Sequence, residues 1–170
     1  MVPWTDLKRV RRSVKSCVRT CRGVVENSTE IVTAEQFPVL WPVPTRWSDN
    51  DHYGHVNNVV YYSYFDTAVN AWLIDATESD IRSLPAIGVV AETSCRYLSE
   101  LSFPEEVTVG ISCERLGSRS VTYKLAIFRA NGQVLAAIGR FVHVYVDVHT
   151  RRPVEVPGAI RLAITRDLLN

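Results

Sequence analysis

Between Arg46 and Trp72 the chain reads RWSDNDHYGHVNNVVYYSYFDTAVNAW, and its first half holds the residues best suited to acid–base chemistry. Two carboxylates, Asp49 and Asp51, and two imidazoles, His52 and His55, surround Gly54. Asn57 and Asn58 follow, a pair able to start a helix. The residues after them are almost all aromatic or aliphatic. A helix N-terminus offers N–H groups without partners and the positive end of the helix dipole. A carboxylate beside it can attack a carbonyl, or activate water against it, while helix N–H groups take the charge that develops on oxygen.

Other chemistries compete for the same residues. Asp49-x-Asp51-x-x-Gly54 opens like a calcium loop, but the fifth and twelfth positions are Tyr53 and Val60, neither a ligand. His52, His55 and Asp51 could ligate zinc, yet no His-Glu-x-x-His pattern or distant Cys/His set accompanies them, so no metal is expected. A plain polar loop is the third reading, with Asp49 or Asp51 capping the helix and His55 simply hydrogen-bonded. That reading suits Asp49, His52 and Asn57 taken singly. It does not account for acid, base, glycine and helix start compressed beside an apolar helix. No Gly-x-Ser-x-Gly elbow is present, so a serine hydrolase is unsupported. Cys95 and Cys113 fall in predicted strands and read as core residues.

The elements that must position the loop follow from periodicity. Phe37–Trp47 reads as an extended strand, with Pro42 and Pro44 marking an end or edge. Asn58–Ile74 reads as a helix with little polar surface, and Glu78–Leu84 as a short turn or helix. Alternating or continuous β-branched runs then predict strands at Gly88–Leu98, Glu106–Glu114, Arg119–Arg129 and Val134–Val148. Glu100–Pro104, Leu116-Gly117-Ser118 and Asn131-Gly132 are the turns between them, the last a tight hairpin signal. A final helix runs through Leu168. One long helix and about five mostly antiparallel strands make an α+β fold, the sheet curled around the helix.

Bulk properties narrow the class. The 170 residues suit one domain, 46% hydrophobic and 22% charged, with a net charge of +1 that gives no reason to expect nucleic-acid binding. No apolar run is long enough to span a bilayer. The four cysteines form no Cys-x-x-Cys pair and read as reduced thiols in a cytoplasmic protein. The first 25 residues carry Lys8, Arg9, Arg11, Arg12, Lys15, Arg19 and Arg22 against Asp6, with Leu7, Val10, Val14 and Val18 at helical spacing. Residues 1–36 are therefore assigned to a basic amphipathic helix and connector outside a domain at 37–170. A docked helix is preferred there over a mitochondrial presequence or a membrane-surface helix.

The run from Trp47 to Asn58, with Tyr62, Phe65 and Asp66 behind it, resembles the hotdog-fold acyl-CoA thioesterases of the 4-hydroxybenzoyl-CoA thioesterase type. His55-Val-Asn-Asn-x-x-Tyr also resembles the acyl-ACP thioesterases of that superfold. Asp147-x-x-Thr150-x-Arg152-Pro153 is similar to a turn many members carry after the last strand. The resemblance covers residue 38 to the end.

It implies a hotdog fold, a long central helix wrapped by a curved antiparallel sheet, and hydrolysis of acyl-CoA to free acid and CoA without a cofactor. Asp51 matches the catalytic carboxylate, as nucleophile or general base, and the Asn58 N–H matches the donor to the thioester carbonyl. His55 matches the histidine of the acyl-ACP branch, whose asparagine is replaced here by Tyr53. Tyr53, Gly54, Asn57 and Tyr62 are expected to bind substrate. Glu92, Thr93 and Ser94 are expected to be lent by a neighbouring subunit, and Arg119 to meet CoA phosphates. The expected assembly is a homodimer or a dimer of dimers. Two other functions stay open: a hotdog enoyl-CoA hydratase, whose usual histidine position is Val56 here, and a non-catalytic acyl-CoA-binding protein.

Overall fold

The computed structural model describes residues 32–129, 132 and 134–169. The basic segment and its predicted helix lie outside these residues, as do Cys17, Cys21 and Asn131 of the hairpin signal.

Five strands form one sheet: β1 (Val39–Pro44), β2 (Ala86–Tyr97), β3 (Glu106–Leu116), β4 (Ser120–Arg129) and β5 (Val134–Asp147). Their spatial order is β1-β3-β4-β5-β2, and every neighbouring pair is antiparallel. The long helix α1 (Asn58–Thr77) crosses one face, and α2 (Gly158–Asp167) packs beside it. No described helix is long and apolar enough to cross a membrane.

The expected α+β architecture is present, and each predicted strand is found within a few residues of its expected limits. The helix differs from expectation in one respect. Its composition suggested burial on all sides, but Tyr61, Tyr64, Phe65, Ala68, Val69, Trp72 and Leu73 alone are buried, at three- and four-residue spacing. Val59 and Ile74 are apolar and exposed, because they lie off that stripe.

The stripe lies on sheet residues from β3, β4 and β5, among them Val109, Ile111, Leu125, Ile127 and Phe141. Close approach depends on Gly139. A Cβ there would come within 2.5 Å of the Phe65 ring, so β5 carries no side chain where α1 presses hardest. The helix starts on Asn57, whose side-chain oxygen accepts the Val59 N–H at 3.2 Å. After β5 the chain turns on Asp147, whose carboxylate accepts the Thr150 N–H at 2.7 Å and its hydroxyl at 2.9 Å.

Edge and centre of the sheet differ. On β2 the run from Ala91 to Ser94 is exposed, and so are Arg96 and Tyr97, with Leu98 just beyond the strand. Central β4, by contrast, is buried or half-buried along its length.

Candidate active site

The loop before α1 begins with a short 3-10 turn, Trp47–Asp49. Asp49 is only 2% exposed. Its carboxylate accepts the Arg46 N–H at 2.8 Å, the Arg46 Nε–H at 3.1 Å and the Tyr64 hydroxyl at 2.8 Å. Burial works against its charge, but the hydrogen bonds from Tyr64 and Arg46 outweigh it and hold the carboxyl below its usual range. The same contact, added to burial, pushes the Tyr64 hydroxyl up. Asp49 also accepts the Asn57 N–H through its backbone carbonyl, at 2.8 Å. It therefore braces the loop against the first turns of α1. Neither Asp49 nor Asp51 caps the helix; Asn57 does, because it is the residue in the non-helical position just before the first turn.

Asp51 is half-buried at the loop's mouth. Its Oδ1 accepts the Tyr53 N–H at 2.7 Å and, more loosely, the His55 N–H at 3.4 Å. Its backbone N–H donates to the His55 carbonyl at 2.8 Å, and its carbonyl accepts the Gly54 N–H at 3.1 Å. The loop thus closes on itself around Asp51. Gly54 makes the reversal with φ at +83°, a conformation that costs other residues strain. Among the described residues, no protein donor reaches Asp51 Oδ2, and no acceptor takes the Asn58 N–H.

His55 Nε2 lies 3.2 Å from the Glu100 carboxylate, which fixes the ring at the edge of the loop. His52 and Tyr53 are exposed, their rings edge to face. Tyr62 is half-buried against the core. The Tyr97 hydroxyl donates to the Asn58 carbonyl at 3.0 Å and its ring meets Tyr61, which ties the end of β2 to the helix start. Val56 N–H donates to the Leu101 carbonyl at 2.7 Å, and Asn50 Oδ1 accepts the Phe103 N–H at 3.1 Å.

Asp51, Tyr53, Gly54, His55, Asn57 and Asn58 are thus together. Glu92, Thr93, Ser94 and Arg119 are elsewhere. Thr93 pairs with Phe141 on the helix face, and the pleat turns Ser94 to the opposite face with Arg140. Glu92 binds Arg140 at 2.6 Å. Arg119 precedes β4 at the sheet end where Ser120 pairs with Val144, whereas Tyr97 pairs with Ala137 at the loop's end. That separation is roughly 20 Å at about 3.3 Å per residue. Sequence reasoning missed Arg46, Tyr97 and Glu100, and the bond of Tyr64 to Asp49. Only the topology brings Tyr97 and Glu100 to the loop. Among the described residues, no three His, Cys, Asp or Glu side chains cluster as metal ligands.

A sheet curled on one helix, with a carboxylate loop at the helix start, defines the class, and comparison with known proteins agrees. Residues 45–164 match the model of the thioesterase-like superfamily, and the chain belongs to that family, the thioester hydrolases of hotdog fold. It is 44% identical to the PA5185 protein from Pseudomonas aeruginosa strain PAO1, with 80% of this chain and 95% of that one covered at a TM-score of 0.76. The 1,4-dihydroxy-2-naphthoyl-CoA thioesterase Slr0204 from Synechocystis shares the fold at 14% identity, with 74% of this chain and 94% of that one covered at a TM-score of 0.68. The uncharacterized protein YsmA of Bacillus subtilis (strain 168) is 29% identical over 51% of this chain, and the match spans 58% of its length.

Proposed function

We propose that this chain is an acyl-CoA thioesterase, releasing free acid and CoA, with Asp51 as its catalytic carboxylate. One observation carries the reading. Among the described residues, Asp51 has one oxygen held by loop N–H groups and the other without a protein donor, beside a helix start whose Asn58 N–H is unclaimed. A thioester carbonyl that accepts the Asn58 N–H is polarised toward attack. Asp51 then takes the proton of an attacking water, or attacks the carbonyl itself to give a mixed anhydride that water opens; either way CoA leaves as the thiol. His55, oriented by Glu100, borders the same space. Tyr53 and Gly54 lie along the substrate's entry, Tyr62 beside the acyl group, and Asn57 presents the first turn of α1.

The separation of Arg119 from Asp51 within one chain favours a site completed by a second copy. The exposed edge of β2 is the proposed pairing surface, since an unpaired strand edge is a template for another strand. Thr93, with Glu92 and Ser94 beside it, and Arg119 of that copy would then serve substrate and CoA phosphates. Light scattering should give a dimer or a dimer of dimers, and a fully active monomer contradicts this assembly.

A thiol-release assay over short, medium, long and aromatic acyl-CoAs tests the activity. Saturable release from one class is expected. Acyl-CoA binding without release from any class would favour a binding protein, and loss of enoyl absorbance without thiol would favour a hydratase.

A further inference from the structure

Two peptide groups flank Asn58, and their hydrogen bonds decide where its N–H points. The first joins Asn57 to Asn58. Its carbonyl, that of Asn57, accepts the Val60 N–H at 2.9 Å, and its N–H is the unclaimed one of Asn58. The second joins Asn58 to Val59. Its N–H, that of Val59, donates to Asn57 Oδ1 at 3.2 Å, and its carbonyl, that of Asn58, accepts the Tyr97 hydroxyl at 3.0 Å. Three of these four polar groups are therefore held by named partners, and the fourth is the donor that the thioesterase reading needs.

Two of the three holds come from the first turn itself. The third comes from 39 residues further along the chain, at the end of the edge strand β2. Tyr97 is well fixed for that task. Its backbone pairs with Ala137 on β5, and the Ala136 carbonyl accepts the next two N–H groups, those of Leu98 and Ser99, at 2.8 and 3.1 Å. Its ring meets Tyr61 edge to face, with centroids 4.9 Å apart. Tyr62 and Cys95 interact with the same hydroxyl, which is thus directed toward the helix start. A phenol is protonated at neutral pH, so it serves as a donor there.

We propose that Tyr97 is a positioning residue for thioester hydrolysis. Through the Asn58 carbonyl it holds the first turn of α1 so that the Asn58 N–H meets the oxygen on which charge develops. The inference rests on the thioesterase reading and adds a residue to it. A donor of this kind works because it is oriented before reaction, and a misplacement of about 1 Å in a reacting geometry can cost about 100-fold in rate.

The test compares the full chain with its Tyr97→Phe variant, which keeps the ring against Tyr61 and removes only the hydroxyl. With an acyl-CoA that the wild type hydrolyses, kcat should fall about ten-fold while KM stays within about two-fold, the pattern of an interaction realised in the transition state. That is short of the roughly 100- to 1,000-fold lost with an oxyanion donor itself. Circular dichroism at the assay temperature should show the variant fully folded. A second arm needs no turnover. In protein 15N-labelled at asparagine, saturating S-acetonyl-CoA, a non-hydrolysable thioether whose ketone stands in for the thioester carbonyl, should move the Asn58 amide proton downfield. In Tyr97→Phe the shift should be at most half as large. Wild-type kcat in folded Tyr97→Phe, a loss confined to KM, or an equal Asn58 shift in both proteins overturns the inference and leaves the thioesterase reading standing. No shift in either protein removes Asn58 as the donor, and this inference with it. No thiol release by the wild type from any acyl-CoA overturns the thioesterase reading, and with it any part for Tyr97 in hydrolysis, whatever the Asn58 shift.

Discussion

At the N-terminal end of α1, Asp49 is buried and bound by both Arg46 and Tyr64; towards the C-terminal end, His143 is buried as deeply and, among the described residues, its ring nitrogens have no hydrogen-bond partner. Burial alone therefore does not say what a polar side chain is for. The partnered Asp49 is a strut that stays charged. The His143 imidazole, without a hydrogen-bond partner among the described residues, stays neutral at pH 7. Asp51, two residues from the strut, differs from both: it is accessible, and among the described residues one of its oxygens has no protein donor.

The two buried groups should separate in their response to acid. His143 has its folded pKa lowered from 6.5 to about 4. Between those values the unfolded chain binds a proton that the folded chain does not. Its contribution to stability is thus complete above pH 6.5 and falls away as pH drops toward 4. The full change is roughly 3 kcal/mol, at about 1.4 kcal/mol per pKa unit. Asp49 is also lowered, from 3.8, so its contribution is present above that value and is lost only as pH falls through its folded pKa. Denaturant unfolding at a series of pH values should show the first loss in wild type and not in His143→Phe. An identical slope in both would remove His143 from the account of acid sensitivity.

A smaller effect is expected at the strut. Asp49→Asn weakens hydrogen bonds to a buried charge and should cost about 1–3 kcal/mol, read as a fall of several degrees in Tm. The exposed part of the Arg46 pair adds little, since ion pairs in water are weak. An Asp49 variant that melts like wild type would put the brace elsewhere. Asn57→Ala removes the cap on α1 and should cost about 1 kcal/mol. Unchanged stability there would mean that the first turn is held by the Asp49 carbonyl alone. Smallest of all is the expected effect of removing residues 1–30, which should leave hydrolysis of a soluble acyl-CoA near normal. A folded but inactive truncation would move the domain boundary toward the N-terminus.

The sequence made the fold legible because period-two runs and one dense apolar run each admit few arrangements. It placed Asp51, Gly54, His55 and Asn58 together because they are neighbours in the chain. The inward face of α1 was harder to read. Nearly every residue after Asn58 is apolar or aromatic, so composition hid the stripe that Tyr61, Phe65, Val69 and Trp72 define. Tyr97 and Glu100 reach the loop only through the antiparallel return of the sheet, and no local pattern signals that. His143 looked like one more inward residue of an alternating strand. Its lack of partners depends on what β2, α1 and α2 place around it.

The account rests most heavily on Asp51, and single-turnover thiol release with enzyme in excess reads its chemistry apart from substrate binding. With an acyl-CoA that the wild type hydrolyses, Asp51→Asn should lower the rate about 100-fold or more, the range for a positioned base or nucleophile. Its melting temperature should match wild type, since Asp51 lies in a loop and its bonds are to neighbouring N–H groups. A folded Asp51→Asn protein that releases CoA at the wild-type rate would contradict the account.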